Sequence, residues 1–145
     1  MMSMLAPPSG LDERADIRRI VVGVVDSRAG RRALRVAFDA ARRNHAELVV
    51  ITSFGSSARG RNATRTTFTE ALREQGSVMS QELGVDRWNV AIYSDAVRGE
   101  PVEVLVDCAI GADLLIVGAS RRWLRTDDTV ASRCRRAATC GVVLA

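Results

Sequence analysis

The chain has 145 residues, of which 47% are apolar and 26% charged, with a formal net charge of +4. That is enough for one compact domain with a real core, and ordinary for a globular protein. All 21 basic residues are arginine, which excludes a Walker-type phosphate lysine, a Schiff-base lysine and a lysine general base.

Residues 1–16 hold Pro7, Pro8, Ser9 and Gly10 and then mixed charge, and read as a flexible tail. This start has neither the basic opening nor the long apolar stretch of a signal peptide. IVVGVV, residues 20–25, is a continuous β-branched run, as expected of a strand covered on both faces. Asp26 and Ser27 follow, and either suits a helix N-cap. Ala33, Leu34, Ala37, Phe38 and Ala41 form an i, i+3/i+4 stripe, so 29–44 read as an amphipathic helix. Arg31, Arg32, Arg35, Arg42 and Arg43 lie off that stripe.

LVVIT, 48–52, is a second buried strand, followed by a Ser/Gly/Arg-rich loop. Phe68, Ala71, Leu72, Met79 and Leu83 mark a helix over 64–83 that Gly84 stops. WNVAIYS, 88–94, alternates and predicts a third strand. Gly99-Glu100-Pro101 opens another helix, with proline where its missing N–H does no harm. Val102, Leu105, Val106 and Ala109 are its inward stripe, and Gly111 ends it. DLLIVG, 113–118, is the fourth strand. Residues 128–138 form the last helix, with Val130, Ala131, Cys134 and Ala138 inward, and CGVVLA, 140–145, is a short final strand.

The order βαβαβαβαβ with short links predicts a single α/β domain over 17–145. Its five-stranded parallel sheet is Rossmann-like, with helices on both faces. In such sheets ligands sit at the carboxyl ends of strands, where the strand order reverses. Those ends are Val25-Asp26-Ser27 after the first strand and Gly118-Ala119-Ser120 after the fourth.

The net charge is local. Residues 118–145 carry six arginines against two aspartates, whereas 1–117 carry fifteen charges of each sign, so any anion preference belongs near the C-terminal segment. Cys108, Cys134 and Cys140 form no CxxC pair and His45 is the one histidine, which argues against a zinc site. Cys108 and Cys134 fall on inward helix faces, and Cys140, near Arg135 and Arg136, is either packed or a thiol switch. The odd cysteine count and the start of the chain point to a reducing, cytoplasmic setting. The longest apolar runs are about six residues, far short of the ~20 that cross a bilayer. Aromatics, at 4%, leave few stacking platforms for single-stranded nucleic acid. His45, just past a helix and without a nearby nucleophile, reads as a helix-terminal histidine.

Two stretches resemble the universal stress protein family. IVVGVVDSRAGRRALRVAFDAARRNHAELVVI is similar to the family's opening strand, helix and second strand. RGEPVEVLVDCAIGADLLIVGASRRWLRTDDTVASRCRRAATCGVVLA is similar to its ending, a G-x-P, helix, strand, loop, helix and last strand. The resemblance covers 17–145 and implies a fold of the adenine nucleotide α-hydrolase type. Members that bind ATP carry G-x2-G-x9-G-[S/T] after the fourth strand and an aspartate at the end of the first. Here Gly118 matches the first glycine, Arg121 stands at the second, Ala131 at the third, and Ser132 matches the closing hydroxyl. Val25 stands where the adenine-facing aspartate would be, with Asp26 one residue late. An arginine resists the close backbone approach that glycine allows to a phosphate, and a valine accepts no amino proton. Asp127 and Asp128 at the start of the last helix oppose a phosphate, while Arg121, Arg122 and Arg125 favour one.

The candidate nucleotide pocket is therefore Val25, Asp26, Ser27, Gly118, Ser120, Arg121, Ala131 and Ser132. Asp26, Ser27 and Ser132 read first as helix-start groups and only second as ligands. Two functions stay open: a regulatory binding module without turnover that does not hold ATP in the usual mode, and an ATP- or nucleotide-binding sensor with weak or no hydrolysis. A weaker third is nucleic-acid binding through Arg121, Arg122, Arg125, Arg133, Arg135 and Arg136. The resemblance implies a homodimer through the last strand, with Val142, Val143 and Leu144 at the contact. Trp123 either plugs the vacated pocket or meets an unidentified partner protein. No catalytic triad, metal site, carboxylate pair or membrane segment is expected.

Overall fold

The computed structural model describes residues 16–55, 67–119 and 129–145. The elements in chain order are β1 (Arg19–Gly23), α1 (Arg28–Asn44), β2 (Glu47–Phe54) and α2 (Phe68–Leu83). A 3-10 segment (Gly84–Asn89) leads into β3 (Ile92–Arg98), α3 (Pro101–Cys108), β4 (Leu114–Val117), α4 (Val130–Ala137) and β5 (Gly141–Leu144). The five strands form one parallel sheet in the order β3-β2-β1-β4-β5, the architecture that the alternating pattern predicts.

Strand alternation divides the core in two. Ile20, Val22, Leu48, Val50 and Ile116 point to the face covered by Leu34, Phe38, Val78 and Met79 of α1 and α2. Val21, Ile51, Leu115 and Val117 point to the face covered by Val102, Val104, Leu105, Ala131 and Cys134 of α3 and α4. This is why the central strands read as unbroken apolar runs: neither face meets water.

Several boundaries differ from the sequence reading. β1 ends at Gly23, not Val25, and the chain turns at Asp26 and Ser27 into α1, where the Ser27 side chain accepts from the Gly30 N–H. Strand parity therefore does not decide where the Asp26 side chain goes. The third strand lies at 92–98, not 88–94. After α2 the chain turns at Gly84 (φ 56) and winds through Gly84–Asn89 as a 3-10 segment, and pairing starts with Ile92 opposite Leu48. Alternation in WNVAIYS misleads because β3 is an edge strand with little to bury; Trp88 stays 77% exposed. On α3, Val104 is buried and Val106 only half-buried. On α4, Val130 faces outward, while Ala131 and Cys134 are buried. α2 opens with a reciprocal cap between Thr67 and Glu70, a T-x-x-E pattern present in the sequence. His45 caps α1 in a left-handed conformation.

One buried polar side chain locks α2 to the sheet. Gln75, 2% exposed, donates through Nε2 to the Asp95 carbonyl (2.9 Å), the Thr52 hydroxyl (3.1 Å) and the Val50 carbonyl (3.3 Å). Thr52 in turn donates to the Val24 carbonyl at 2.8 Å, so the relay runs from α2 to the tip of β1. Gln75→Ala is expected to cost about 2–4 kcal/mol, from the emptied volume and the orphaned partners. Urea denaturation followed by circular dichroism measures it.

Candidate functional site

From β1 the chain builds outward to β2 and β3 on one side and to β4 and β5 on the other. The strand order thus reverses between β1 and β4, where sheets of this kind hold ligands. The walls there are the β1 tip (24–27), Gly118 and Ala119 beyond β4, and the first turn of α1.

These walls touch backbone to backbone. A Cβ added to Gly118 would lie 2.4 Å from the Ala29 carbonyl oxygen and 3.0 Å from the Gly30 nitrogen. A Cβ added to Gly30 would lie 2.3 Å from the Val25 carbonyl oxygen. Both positions are glycine because the β4 tip, α1 and the β1 tip leave no room for a side chain between them. Val25 itself is half-buried against this junction.

The polar groups of the β1 tip are engaged within the chain. The Asp26 N–H donates to Glu74 Oε2 at 2.7 Å. Asp26 Oδ1 accepts from Arg31 Nη2 (2.8 Å) and Nε (3.1 Å). Arg31 Nη1 donates to Glu82 Oε2 at 2.9 Å, and Arg35 pairs with the other oxygen of Glu82. Hydrogen bonding from Arg31, aided by Arg35, holds the Glu82 carboxyl below its usual value, although burial acts the other way. Its hydrogen bonds to Glu82 and Asp26 raise the Arg31 guanidinium. The β4 tip is tied as well: Arg32 Nη2 donates to the Ala119 carbonyl (2.8 Å) and the Ala145 main-chain oxygen (3.1 Å). The Ala119 N–H also donates to Ala145, at 2.9 Å.

At the start of α4, Ala131 is buried. The Ser132 N–H donates to the Thr129 hydroxyl at 3.0 Å and the Ser132 hydroxyl lies 2.9 Å from that same oxygen. Arg133 pairs with Glu100, the N-cap of α3, at 3.4 Å. Ser120, Arg121, Arg122, Trp123, Arg125, Asp127 and Asp128 lie outside the described residues. The structure thus brings Val25, Asp26, Ser27 and Gly118 to the reversal point and places Ala131 and Ser132 on the first turn of α4. At the far edge, β5 exposes Val143 and half-buries Val142 and Leu144.

The sequence reading missed Arg31, Arg32, Glu74 and Glu82. Arginines off an apolar stripe look solvated, yet Arg31 and Arg32 are half-buried clamps. The available signal was spacing: Arg31 stands five residues after Asp26 across a capped turn. Burial, before any charge effect, raises the thiols of Cys108, Cys134 and Cys140, with Cys134 pushed up to about 11. That disfavours the thiolate a redox switch needs at Cys140. Among the described residues no group of three or more His, Cys, Asp or Glu side chains is placed to hold a metal, and no helix is long and apolar enough to cross a membrane.

A purine nucleotide would need a free carboxylate or backbone donor at the β1 tip and open backbone at the β4 tip. Among the described residues, Val25 supplies no carboxylate, the Asp26 N–H and Oδ1 are bonded within the chain, and Gly118 is pressed on α1.

A family model described as the universal stress protein family matches residues 16–145. Solved structures are similar throughout. A universal stress protein in complex with cAMP is 25% identical, covering 90% of this chain and 97% of that one at a TM-score of 0.67. A universal stress protein family member from Burkholderia pseudomallei is 26% identical, covering 96% and 98% at a TM-score of 0.63. UspA from Lactobacillus plantarum, at 20% identity, 88% and 97% coverage and a TM-score of 0.66, shows the same fold. No curated protein sequence matches the chain.

Gly118→Ala is expected to destabilise the fold by about 1–3 kcal/mol, the range for forcing a methyl into packed atoms, as read by thermal or urea unfolding. The Glu82 pairing gives a second prediction. A carboxyl whose folded value is lowered stabilises the fold above its ordinary value of 4.5 and loses that contribution as the pH falls through the lower folded value. The stability gap between the parent protein and Glu82→Gln should be full at pH 7 and shrink below about pH 4.5, checked by urea titrations across that range.

Proposed function

The chain belongs to the universal stress protein family, and from that membership we propose that it is a stress-response regulatory module. On this reading it acts as a homodimer, without turnover, and does not hold ATP in the usual mode. The observation that carries the reading is the β1 tip, where Glu74 takes the Asp26 N–H and Arg31 bonds its Oδ1. Each contact would have to break before a purine could use that tip. The place of β5 at the sheet edge, with its outer backbone groups available for pairing, supports a two-fold contact between copies. Val142, Val143 and Leu144 are the proposed contact residues.

One observation favours the second reading, a nucleotide-binding sensor. The relative solved with cAMP is similar over 90% of this chain. Its ligand class makes cyclic and linear adenine nucleotides the compounds to test. On that reading Gly118, Ser120, Arg121 and Ser132 would hold the nucleotide in another pose.

Native mass spectrometry of freshly purified protein tests both readings. The expected spectrum is a dimer without retained nucleotide, and Val143→Arg shifts it to monomer. Millimolar ATP, AMP and cAMP are expected to leave the melting temperature unchanged, since a ligand that binds only the native state must raise it. A retained nucleotide, or a melting temperature that climbs with its concentration, establishes the sensor reading instead.

A further inference from the structure

A second surface lies at the opposite end of the sheet, where β3 begins. There the 3-10 segment and the start of β3 leave Val85, Trp88 and Tyr93 81%, 77% and 56% exposed. Trp88 borders a notch of about 190 Å3 lined by Met79, Arg87, Trp88, Val90, Ile92 and Ser94. The lining holds one cation and no anion. Arg87 makes no ion pair among the described residues and lies over the Trp88 ring, 5.1 Å from its centroid. The neighbouring carboxylate, Asp86, lines a different cleft, between α1 and α2.

Among the described residues, the edge beside this notch is open over a short length only. The Leu48 N–H donates to the Ala91 carbonyl, and a parallel ladder uses alternate residues. Residues 91, 93, 95 and 97 therefore face β2, and 92, 94 and 96 face outward. The Ala96 N–H is already taken by Asp95 Oδ1 at 2.8 Å. Ile92 and Ser94, next to the notch, remain as the stretch where another strand can pair.

We propose that this edge docks an extended segment of a partner protein, one carrying an apolar side chain next to a carboxylate. The segment pairs with Ile92 and Ser94 as a short added strand. Its apolar side chain fills the notch against Trp88, and its carboxylate meets Arg87. Charge complementarity selects this occupant: burying Arg87 without an anion would be costly, and Asp86 lines the other cleft instead of the notch. Tryptophan and arginine are also the residue types that most often dominate such contacts. Asp95 limits the site, because by closing the Ala96 N–H it ends the ladder and discourages open-ended stacking of strands.

A random heptapeptide library displayed on phage and selected on the full chain tests this. The expected consensus pairs an apolar or aromatic residue with Asp or Glu. A synthetic peptide of that consensus should lose at least about tenfold in affinity for Trp88→Ala and for Arg87→Glu, the loss typical of a dominant contact residue. Replacing its acidic residue by Lys should restore binding to Arg87→Glu alone. N-methylation of the peptide backbone should abolish binding while leaving the side chains intact. Trp88 is exposed and Arg87 makes no ion pair among the described residues, so both variants should melt like the parent protein. Absence of any enriched consensus, or peptides that ignore both substitutions, would overturn the proposal. So would self-association of the parent protein that Trp88→Ala removes, since a second copy would then be the occupant.

Discussion

The close approach of Gly118 to the first turn of α1 is the constraint around which the rest is arranged. With no side chain at 118 or 30, the β4 tip, α1 and the β1 tip stack through main-chain atoms. Any methyl placed there would push the helix off the sheet, and with it the inward stripe of Leu34 and Phe38. The same contact brings the start of α1 to the point where the strand order reverses. Arg31 and Arg32, on that helix, are thereby delivered to the tips of β1 and β4, where they bond Asp26 and Ala119. Packing and polar occupancy of the crevice are thus one arrangement.

That arrangement is extended by α2. Gln75 fixes the helix to β2 and β3 from inside, and Thr52 passes the restraint to the Val24 carbonyl. Glu74, one residue earlier, reaches the Asp26 N–H, and Glu82, two turns on, accepts from Arg31 and Arg35. A short helix face therefore sets both the path of the β1 tip and the charge beside it. Asp26 and Glu82 are matched there by the guanidinium groups of Arg31 and Arg35, and Glu74 by the Asp26 N–H.

The sequence carries the sheet clearly where strands are buried on both faces. Unbroken runs such as IVVGVV and LLIV have no other stable use in a chain of this size, and the helices between them show their period in Ala33, Leu34, Ala37 and Phe38. It misplaces β3 because an edge strand buries only Ala96 well, so alternation in the preceding WNVAIYS looks just as strand-like. It also misses the clamps. Whether an arginine off the apolar stripe is solvated or paired depends on what another helix brings to it, and Glu74 and Glu82 lie more than forty positions away in the chain. Ser27 was easier, since cap chemistry is local. Family resemblance located Gly118 and Val25, but the contact that explains the glycine, with Ala29, follows only from three-dimensional packing.

The proposal made above is that the chain does not hold ATP in the usual mode. Its most direct measurement is a nitrogen-15 spectrum of the labelled chain titrated with ATP into the millimolar range. The amide signals of Asp26, Gly30, Gly118 and Ala119 are expected to stay in place throughout. Saturable movement of those four signals with rising ATP would contradict it.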